Sequence, residues 1–197
     1  MLNKNEIKVL KLLMAKIRKE LTISDISRLL KQKYAQTYLI VKKLMAKKLV
    51  KVKKIGKSNV VLLDFNTFKP DYIIAEIERL KDKLKNKDIL LVYESVKDLD
   101  IGNICILFGS YASGKQKKSS DIDLLFIVNE DISRFERKAK NSLSHYNADI
   151  NVITKESLFE MWSSNKLNVG NEVLENHIIL YGSEQFIALL RRRYERK

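Results

Sequence analysis

Apolar side chains recur at helical spacing through the first third of the chain. In residues 7–17 they lie three and four positions apart, which predicts an amphipathic helix. We expect Ser24 to be the N-cap of a short second helix, because a serine oxygen accepts a backbone N–H of the first turn. A third helix is predicted over residues 34–48. Its inward face is expected to consist of Tyr34, Tyr38, Val41, Leu44 and Met45.

The apolar spacing changes to that of β-strands after the third helix. Residues 49–55 and 59–65 are rich in valine, isoleucine and leucine, which favours extended structure. Gly56-Lys57-Ser58 lies between the two runs and supplies turn residues. The pattern therefore predicts a β-hairpin with a basic tip.

Pro70, the chain's only proline, marks the boundary between two predicted domains. Proline is tolerated in the first turn of a helix, so a helix is expected to begin beside it. Helical spacing then continues in five apolar residues, Ile73, Ile74, Ile77, Leu80 and Leu84. We divide the chain into a domain of residues 1–68 and a domain of residues 69–197.

Short apolar runs alternate with helical segments in the second domain. Residues 104–108, 122–128 and 148–154 predict strands, and residues 131–146 predict a helix between the last two. Further helical segments follow towards the C-terminus. This order predicts the α/β (α+β) class, with a small mixed sheet in the second domain.

The distribution of charge distinguishes the two domains. The chain of 197 residues has 38 Lys and Arg against 24 Asp and Glu, a formal net charge of +14. Residues 1–66 contain 17 of the basic residues and 4 of the acidic ones, so their net charge is +13. A compositional bias would be spread evenly along the chain. The excess therefore indicates a localised basic surface and a polyanionic partner.

The composition excludes several classes of protein. The chain has no run of eighteen apolar residues, so we expect no membrane span. Its first 20 residues are too rich in lysine to contain the apolar core of a signal peptide. The only cysteine, Cys105, excludes an internal disulfide and fits a reducing compartment. We therefore expect a cytoplasmic protein.

Three helices followed by a basic hairpin resemble a winged helix-turn-helix domain. Such domains place the third helix in the major groove and the hairpin, or wing, against the DNA backbone. The resemblance implies that DNA is approached by Lys33, Gln36, Thr37, Lys42 and Lys43 on the third helix and by Lys53, Lys54 and Lys57 on the wing. Lysine contacts to phosphate give affinity more than base choice. Leu39 and Ile40 are unusual in a groove-reading helix, so a core role, a homodimer contact and a protein docking surface stay open as alternatives.

A motif with chemical meaning follows the first strand of the second domain. The strand runs directly into Gly109-Ser110, and Asp121-Ile122-Asp123 begins the next strand. Because residues two apart in a strand point the same way, the two carboxylates share one face. They repel each other unless a cation lies between them, and carboxylate oxygens suit Mg²⁺. The Gly-Ser turn supplies backbone N–H groups for a phosphate.

A third carboxylate, Asp149, has apolar neighbours in the strand of residues 148–154. If this strand pairs beside the strand of Asp121, three carboxylates converge. Three carboxylates are enough for two metal ions that stabilise the attacking and leaving oxygens of a displacement at phosphorus. Asp98-Leu99-Asp100 has the same spacing as the Asp121 pair, but it has no Gly-Ser upstream and no strand to carry it. We interpret it as a chance occurrence.

These residues resemble the signature of the DNA polymerase β nucleotidyltransferase superfamily. The similarity is closest to the minimal nucleotidyltransferases, some of which are antitoxins paired with HEPN-domain ribonucleases. The matching positions are Gly109, Ser110, Ala112, Gly114, Ser120, Asp121, Ile122, Asp123 and Leu124. The resemblance implies that Asp121 and Asp123 bind both metals, and that Asp149 binds the catalytic metal and helps to activate the acceptor. It also implies that Gly109 and Ser110 hold the triphosphate.

One position departs from the family pattern. The family usually has an arginine where this chain has Ser113. The charge of Lys115, Lys117 or Lys118 could replace that of the arginine, and we include Lys115 and Ser120 among the expected nucleotide-binding residues.

The expected function is Mg²⁺-dependent transfer of a nucleoside monophosphate, with AMP from ATP favoured, to a hydroxyl group. The resemblance favours a protein acceptor such as a HEPN-type toxin, with a small molecule or an RNA 3′ end as alternatives. The competing hypothesis is a DNA-binding regulator whose second domain senses nucleotide, or binds a partner, without turnover.

Overall fold

The computed structural model describes residues 1–66, 69–99, 102–117, 119–129, 131–164 and 166–195. The first domain contains α1 (Lys4–Met14), β1 (Leu21–Thr22), α2 (Ile23–Leu29), α3 (Tyr34–Ala46), β2 (Val50–Ile55) and β3 (Ser58–Leu63). Its three strands form an antiparallel sheet in the order β1-β3-β2. Ile55 pairs with Ser58, so a two-residue turn closes the hairpin that the sequence predicts.

The start of α2 differs from the prediction. Thr22, and not Ser24, is its N-cap. The Thr22 hydroxyl accepts the backbone N–H of Asp25 at 3.1 Å, and the Asp25 carboxylate accepts the backbone N–H of Thr22 at 3.0 Å. This reciprocal pair satisfies two N–H groups that the helix itself leaves unbonded, which a cap at Ser24 would not do.

The buried face of α3 also differs from the prediction. Its buried residues are Thr37, Ile40, Val41 and Leu44. Of the five residues expected to face inward, Tyr34, Tyr38 and Met45 are exposed. The two tyrosine rings stack on each other, with centroids 6.5 Å apart, and the Lys42 ammonium lies 5.2 Å from the Tyr38 ring centroid. These contacts let the aromatic stripe remain at the surface.

The second domain is built on a four-stranded mixed sheet. Its elements are α4 (Pro70–Lys83), α5 (Lys87–Val96), β4 (Ile104–Leu107), α6 (Gly109–Ser113), β5 (Ile122–Val128), α7 (Ile132–Ser142), β6 (Ala148–Thr154), α8 (Lys155–Ser163), α9 (Val169–Val173), β7 (Ile178–Tyr181) and α10 (Ser183–Glu195). A short 3₁₀ turn, Lys97–Leu99, follows α5. The strand order is β6-β5-β4-β7, with β5 and β6 parallel and the other pairs antiparallel. The predicted α/β (α+β) class is confirmed.

Alternate residues of β4 face two different cores. Ile104 and Ile106 pack into a cluster that continues into the first domain, whereas Cys105 and Leu107 pack into a second cluster under α5 and α7. The sheet is therefore covered on both sides, and one of its faces shares its core with the first domain. Across the described ranges, no helix has the length and apolar character needed to cross a lipid bilayer.

Helix α4 connects the two domains. It contacts α1 of the first domain as well as β7 and α10 of the second. At its start, the Tyr72 hydroxyl lies 2.8 Å from the carbonyl oxygen of Leu49 and 2.7 Å from that of Asp64. The first turn of α4 is therefore tied to the first domain by hydrogen bonds from a buried side chain.

A buried cluster of polar side chains holds α4 against the second domain. Arg79 Nη1 donates to both Glu76 carboxylate oxygens at 2.6 and 2.7 Å. Its Nη2 donates to the His177 carbonyl, and the His177 ring nitrogen Nε2 lies 3.4 Å from Glu76. Burial alone would raise the pKa of Glu76, but the charge of Arg79 and the contact with His177 lower it overall. Burial and the Arg79 charge lower the pKa of His177.

This cluster determines which side of α4 is buried. The buried residues of the helix are Tyr72, Ala75, Glu76 and Arg79, and Ile74 and Ile77 are exposed at 44% and 42%. The predicted helix is present, and Ile73, Leu80 and Leu84 pack against the cores, but its most buried side also contains the charged pair of Glu76 and Arg79.

The Arg79→Ala variant should lose about 3–5 kcal/mol of unfolding free energy, because it leaves the Glu76 carboxylate buried without its partner. Lys81→Ala on the same helix is the matched control. Lys81 pairs with Glu78 at the surface, so its loss should cost less than about 1 kcal/mol. Urea unfolding measured by circular dichroism compares the two. Equal losses would contradict the structural role of the buried cluster.

Candidate active site

Two of the three predicted carboxylates lie side by side on neighbouring strands. Strands β5 and β6 are parallel, and Asp123 is directly opposite Asp149 in their register. The sequence analysis required the strand of Asp149 to pair beside the strand of Asp121 and Asp123, and this pairing is present. Asn151, two residues along β6, donates its side-chain N–H to Asp149 at 3.2 Å. Both carboxylates thus lie near the starts of two neighbouring strands.

Gly109 leaves the space that the Asp123 carboxylate occupies. A Cβ atom at position 109 would lie 2.0 Å from Asp123 Oδ2 and 2.8 Å from its Cγ. The φ angle of Gly109 is +63°, in the left-handed region that favours glycine. The backbone N–H of Ser110 donates to the Asp123 carboxylate. The Gly-Ser turn therefore positions the Asp123 carboxylate directly. This role is separate from any contact between the turn and a ligand.

The electrostatic environment of Asp123 favours a cation. Burial raises its pKa first, and the negative charges of Asp149 and Asp121 raise it further, while the Ser110 N–H acts in the opposite direction. A divalent cation between such carboxylates would offset their repulsion. Carboxylate oxygens are the ligand type that Mg²⁺ prefers, so the chemistry of Asp123 and Asp149 fits such an ion.

A cavity of about 720 Å³ opens in front of these two residues. Its volume lies in the range of small-molecule sites, which is about 300–1,000 Å³. The lining combines an aromatic ring, amides, carboxylates and two cations. The lining residues are Arg18, Phe108, Asp123, Asp149, Asn151, Lys166, Leu167, Asn168, Val169, Asn171, Glu172 and Glu175. The cavity therefore contains donors and acceptors suited to a polar, charged ligand.

Glu172 and Glu175 add two carboxylates that the sequence analysis missed. Burial raises the pKa of Glu172 first, followed by the negative charges of Asp123 and Glu175. They lie at and just beyond the end of α9, three residues apart, so a Glu-x-x-Glu spacing on a helical segment was the available signal. The signal is common on solvated helices, and only the fold brings it in front of β5.

Asp121 is placed differently from the other two aspartates. It is exposed just before β5, and its carboxylate accepts an N–H of the Asn147 amide. It does not line the cavity. No group of three or more Asp, Glu, His and Cys side chains in the described part of the chain is arranged to hold a metal. Two of the three predicted carboxylates, Asp123 and Asp149, therefore line the cavity. Asp121 lies nearby, just before the start of β5.

The predicted nucleotide-binding residues have mainly local contacts. The Ser120 hydroxyl accepts the backbone N–H of Lys117 at 2.9 Å and closes the turn before Asp121. Ser113, in the position of the family's arginine, donates its hydroxyl to the Ser110 carbonyl at 3.0 Å. Lys115 is exposed beyond the end of α6. Lys118 lies outside the described residues.

Most of the predicted DNA contacts are exposed, with one exception. The accessible residues are Lys33, Gln36, Lys42, Lys43, Lys53, Lys54 and Lys57. Thr37 is 0% exposed, and its hydroxyl donates to the Lys33 carbonyl at 3.3 Å. A buried side chain cannot contact DNA, so including Thr37 was wrong. Ile40 is also buried and belongs to the core, whereas Leu39 is 58% exposed.

Family comparisons match both parts of the chain. Residues 93–186 match the family model described as polymerase beta, nucleotidyltransferase. Residues 2–66 match the family model described as the sugar-specific transcriptional regulator TrmB. Neither the curated proteins nor the solved structures contain a match. The two matches confirm the predicted architecture of a winged helix followed by a nucleotidyltransferase domain.

Gly109→Ala should lower the free energy of unfolding more than Gly56→Ala does, although both glycines have a left-handed backbone. Gly56 is the matched control, because its φ is +57° and a Cβ there meets nothing within 4 Å. Each variant should lose about 1 kcal/mol from the left-handed backbone. Gly109→Ala should lose at least about 1–3 kcal/mol more, because its Cβ displaces Asp123. Chemical denaturation measures both values. Equal losses would show that Asp123 does not need this space.

Proposed function

We propose that this chain, which joins an N-terminal winged-helix domain to a polymerase β-type nucleotidyltransferase domain, transfers a nucleoside monophosphate from an NTP to a hydroxyl acceptor with Mg²⁺. The observation that carries the proposal is the register of Asp123 opposite Asp149 beside the space that Gly109 leaves open. The family resemblance is the basis for choosing AMP transfer from ATP.

The roles of the residues follow from their contacts. Asp123, which the Ser110 N–H orients, and Asp149 would hold Mg²⁺, and Asp121 would add a further ligand from the same strand end. When bound there, Mg²⁺ would supply positive charge that offsets the charge of the phosphates. Asp149 is exposed at the cavity, so an acceptor hydroxyl can reach it and transfer its proton. The acceptor oxygen then bonds to the α-phosphorus, and the bond to the departing pyrophosphate breaks. Positioning and charge neutralisation account for most of the catalysis.

A protein hydroxyl is the acceptor that we propose. The exposure of Asp149 means that a macromolecular acceptor is not blocked by the fold. The family resemblance points to a HEPN-type toxin as this partner, so the chain would act as an antitoxin that AMPylates it. A small molecule and an RNA 3′ end are the competing acceptors.

The first domain is proposed to bind DNA. Seven of the eight predicted contact residues are exposed, all of them on α3, at its start or on the hairpin. The net charge of +13 in residues 1–66 supports attraction to the phosphate backbone. An antitoxin with this domain would control its own operon while it modifies the toxin.

A second candidate is a DNA-binding regulator whose nucleotidyltransferase domain binds nucleotide without turnover. The observation that favours it is the placement of Asp121, whose carboxylate is hydrogen-bonded by Asn147 outside the cavity. Under this alternative, the removal of the Asp121 carboxylate would leave the regulatory role intact.

Label transfer from ATP carrying the isotope on its α-phosphate tests the enzyme. The purified chain is incubated with Mg²⁺, with and without the product of the adjacent gene. Asp123→Asn and Asp149→Asn should reduce transfer to background, because each removes a charge that the proposed metal site requires. Asp121→Asn should reduce it as well if all three aspartates are ligands.

Asp98→Asn is the matched control for this experiment. Asp98 is exposed in a short 3₁₀ turn, so the same chemical change there should leave transfer unaltered. Absence of transfer to every acceptor would contradict the enzyme and favour the regulator without turnover. Transfer that survives Asp123→Asn would contradict the assigned site.

DNA binding is tested with the triple variant Lys53→Ala, Lys54→Ala and Lys57→Ala. Affinity for a short random-sequence duplex should fall, and the slope of log K against log salt should decrease by about 0.9 for each phosphate that the variant no longer neutralises. The control removes the same charge from the second domain through Lys81→Ala, Lys85→Ala and Lys87→Ala. Binding that is independent of salt would contradict a lysine contact with the backbone.

A further inference from the structure

The cavity in front of Asp123 and Asp149 has a wall that comes from the winged-helix domain. Arg18 lies in the connection between α1 and β1, yet it lines the cavity together with residues of β5, β6 and α9. Neither the nucleotidyltransferase motif nor the predicted DNA-binding surface includes it. An arginine from the regulatory domain is thus present at the site where the second domain would bind its substrate.

The position of Arg18 is set by the contact between the domains. Its backbone N–H donates to the carbonyl of Leu174 at 3.4 Å, just beyond the end of α9. The preceding residues of α1 are packed in the core cluster that contains Leu174 and Ile104. The backbone of this connection is therefore held against the wall of the cavity that carries Glu172.

The charges around the cavity make an arginine useful there. Four carboxylates line the cavity, those of Asp123, Asp149, Glu172 and Glu175. A triphosphate that enters such a site is repelled unless cations offset those charges. Among the lining residues that the structure describes, Arg18 and Lys166 are the cations. The Arg18 guanidinium has no ion-pair partner within the described part of the chain, so its donors are available to a ligand.

We propose that Arg18 binds the phosphates of the nucleotide, so that the winged-helix domain completes the nucleotidyltransferase site. This inference rests on the proposed function, because it takes an NTP as the ligand of the cavity. A guanidinium presents its N–H donors in a planar fork that matches two phosphate oxygens at once. It supplies, from the other domain, a cation in a site whose own motif has Ser113 in place of arginine.

Charges of the second domain lie close to the connection that carries Arg18. Burial lowers the pKa of Lys16 first, the positive charges of Lys19, Lys115 and Arg79 lower it further, and the negative charge of Glu175 acts in the opposite direction.

The experiment compares ATP binding and AMP transfer in the full-length chain and its Arg18 variants. Isothermal titration with ATP and Mg²⁺ should show about tenfold or greater weakening in Arg18→Ala, because the variant cannot make charge-assisted bonds to phosphate from this position. Arg18→Lys should lie between the two, since it keeps the charge but lacks the fork. Binding by Arg18→Ala should also depend less steeply on salt than binding by the wild type, which a purely structural role of Arg18 would not produce.

Arg28→Ala is the matched control, since Arg28 lies on α2 in the same domain with its side chain 79% exposed. It removes the same charge away from the cavity and should leave ATP binding unchanged. Equal ATP affinity in wild type and Arg18→Ala, with transfer intact, would overturn this inference and leave the proposed enzyme standing. Weaker ATP binding in Arg18→Ala, without transfer to any acceptor, would support the inference and overturn the enzyme. ATP that fails to bind the wild type would overturn both.

Discussion

The buried contact between Arg79, Glu76 and His177 is the constraint on which the arrangement of the domains depends. A guanidinium and a carboxylate in the interior are tolerated only in a geometry that satisfies both, so α4 has one position against the start of β7. The same helix is bonded to the first domain through Tyr72. Its placement therefore sets that of α1 and, through α1, that of the connection carrying Arg18.

The candidate site depends on a second constraint, which is steric. Gly109 and Asp123 are fourteen positions apart in sequence, and the antiparallel pairing of β4 with β5 brings them into contact. A glycine before the helical turn and an aspartate at the start of a strand thus form one structural unit. This explains in physical terms why the two halves of the motif occur together. Without the Asp123 side chain, Gly109 would leave an empty space, and with a larger residue at position 109, the Asp123 carboxylate would clash.

The sequence predicted those parts of the molecule whose signal is local. Strands β4, β5 and β6 were predicted because each is a short apolar run, and the carboxylates were recognised because they interrupt such runs. The inner face of α3 was predicted only in part: Val41 and Leu44 are buried, and Thr37 is buried with them because it satisfies its hydroxyl on its own helix. The buried pair in α4 was not predicted, because Glu76 satisfies its charge on Arg79 only in the folded chain. Arg18, Glu172 and Glu175 could not be assigned to the cavity, since their meeting there depends on tertiary packing.

The hairpin of the first domain has an edge strand that is protected against self-association by its lysines. Strand β2 is at the edge of its sheet, so one side of its backbone can add a strand from another molecule. Its exposed positions include Lys51, Lys53 and Lys54, and lysine on an edge strand opposes such pairing through charge repulsion. The charge that makes the hairpin basic therefore also opposes the pairing of β2 with a strand of another molecule.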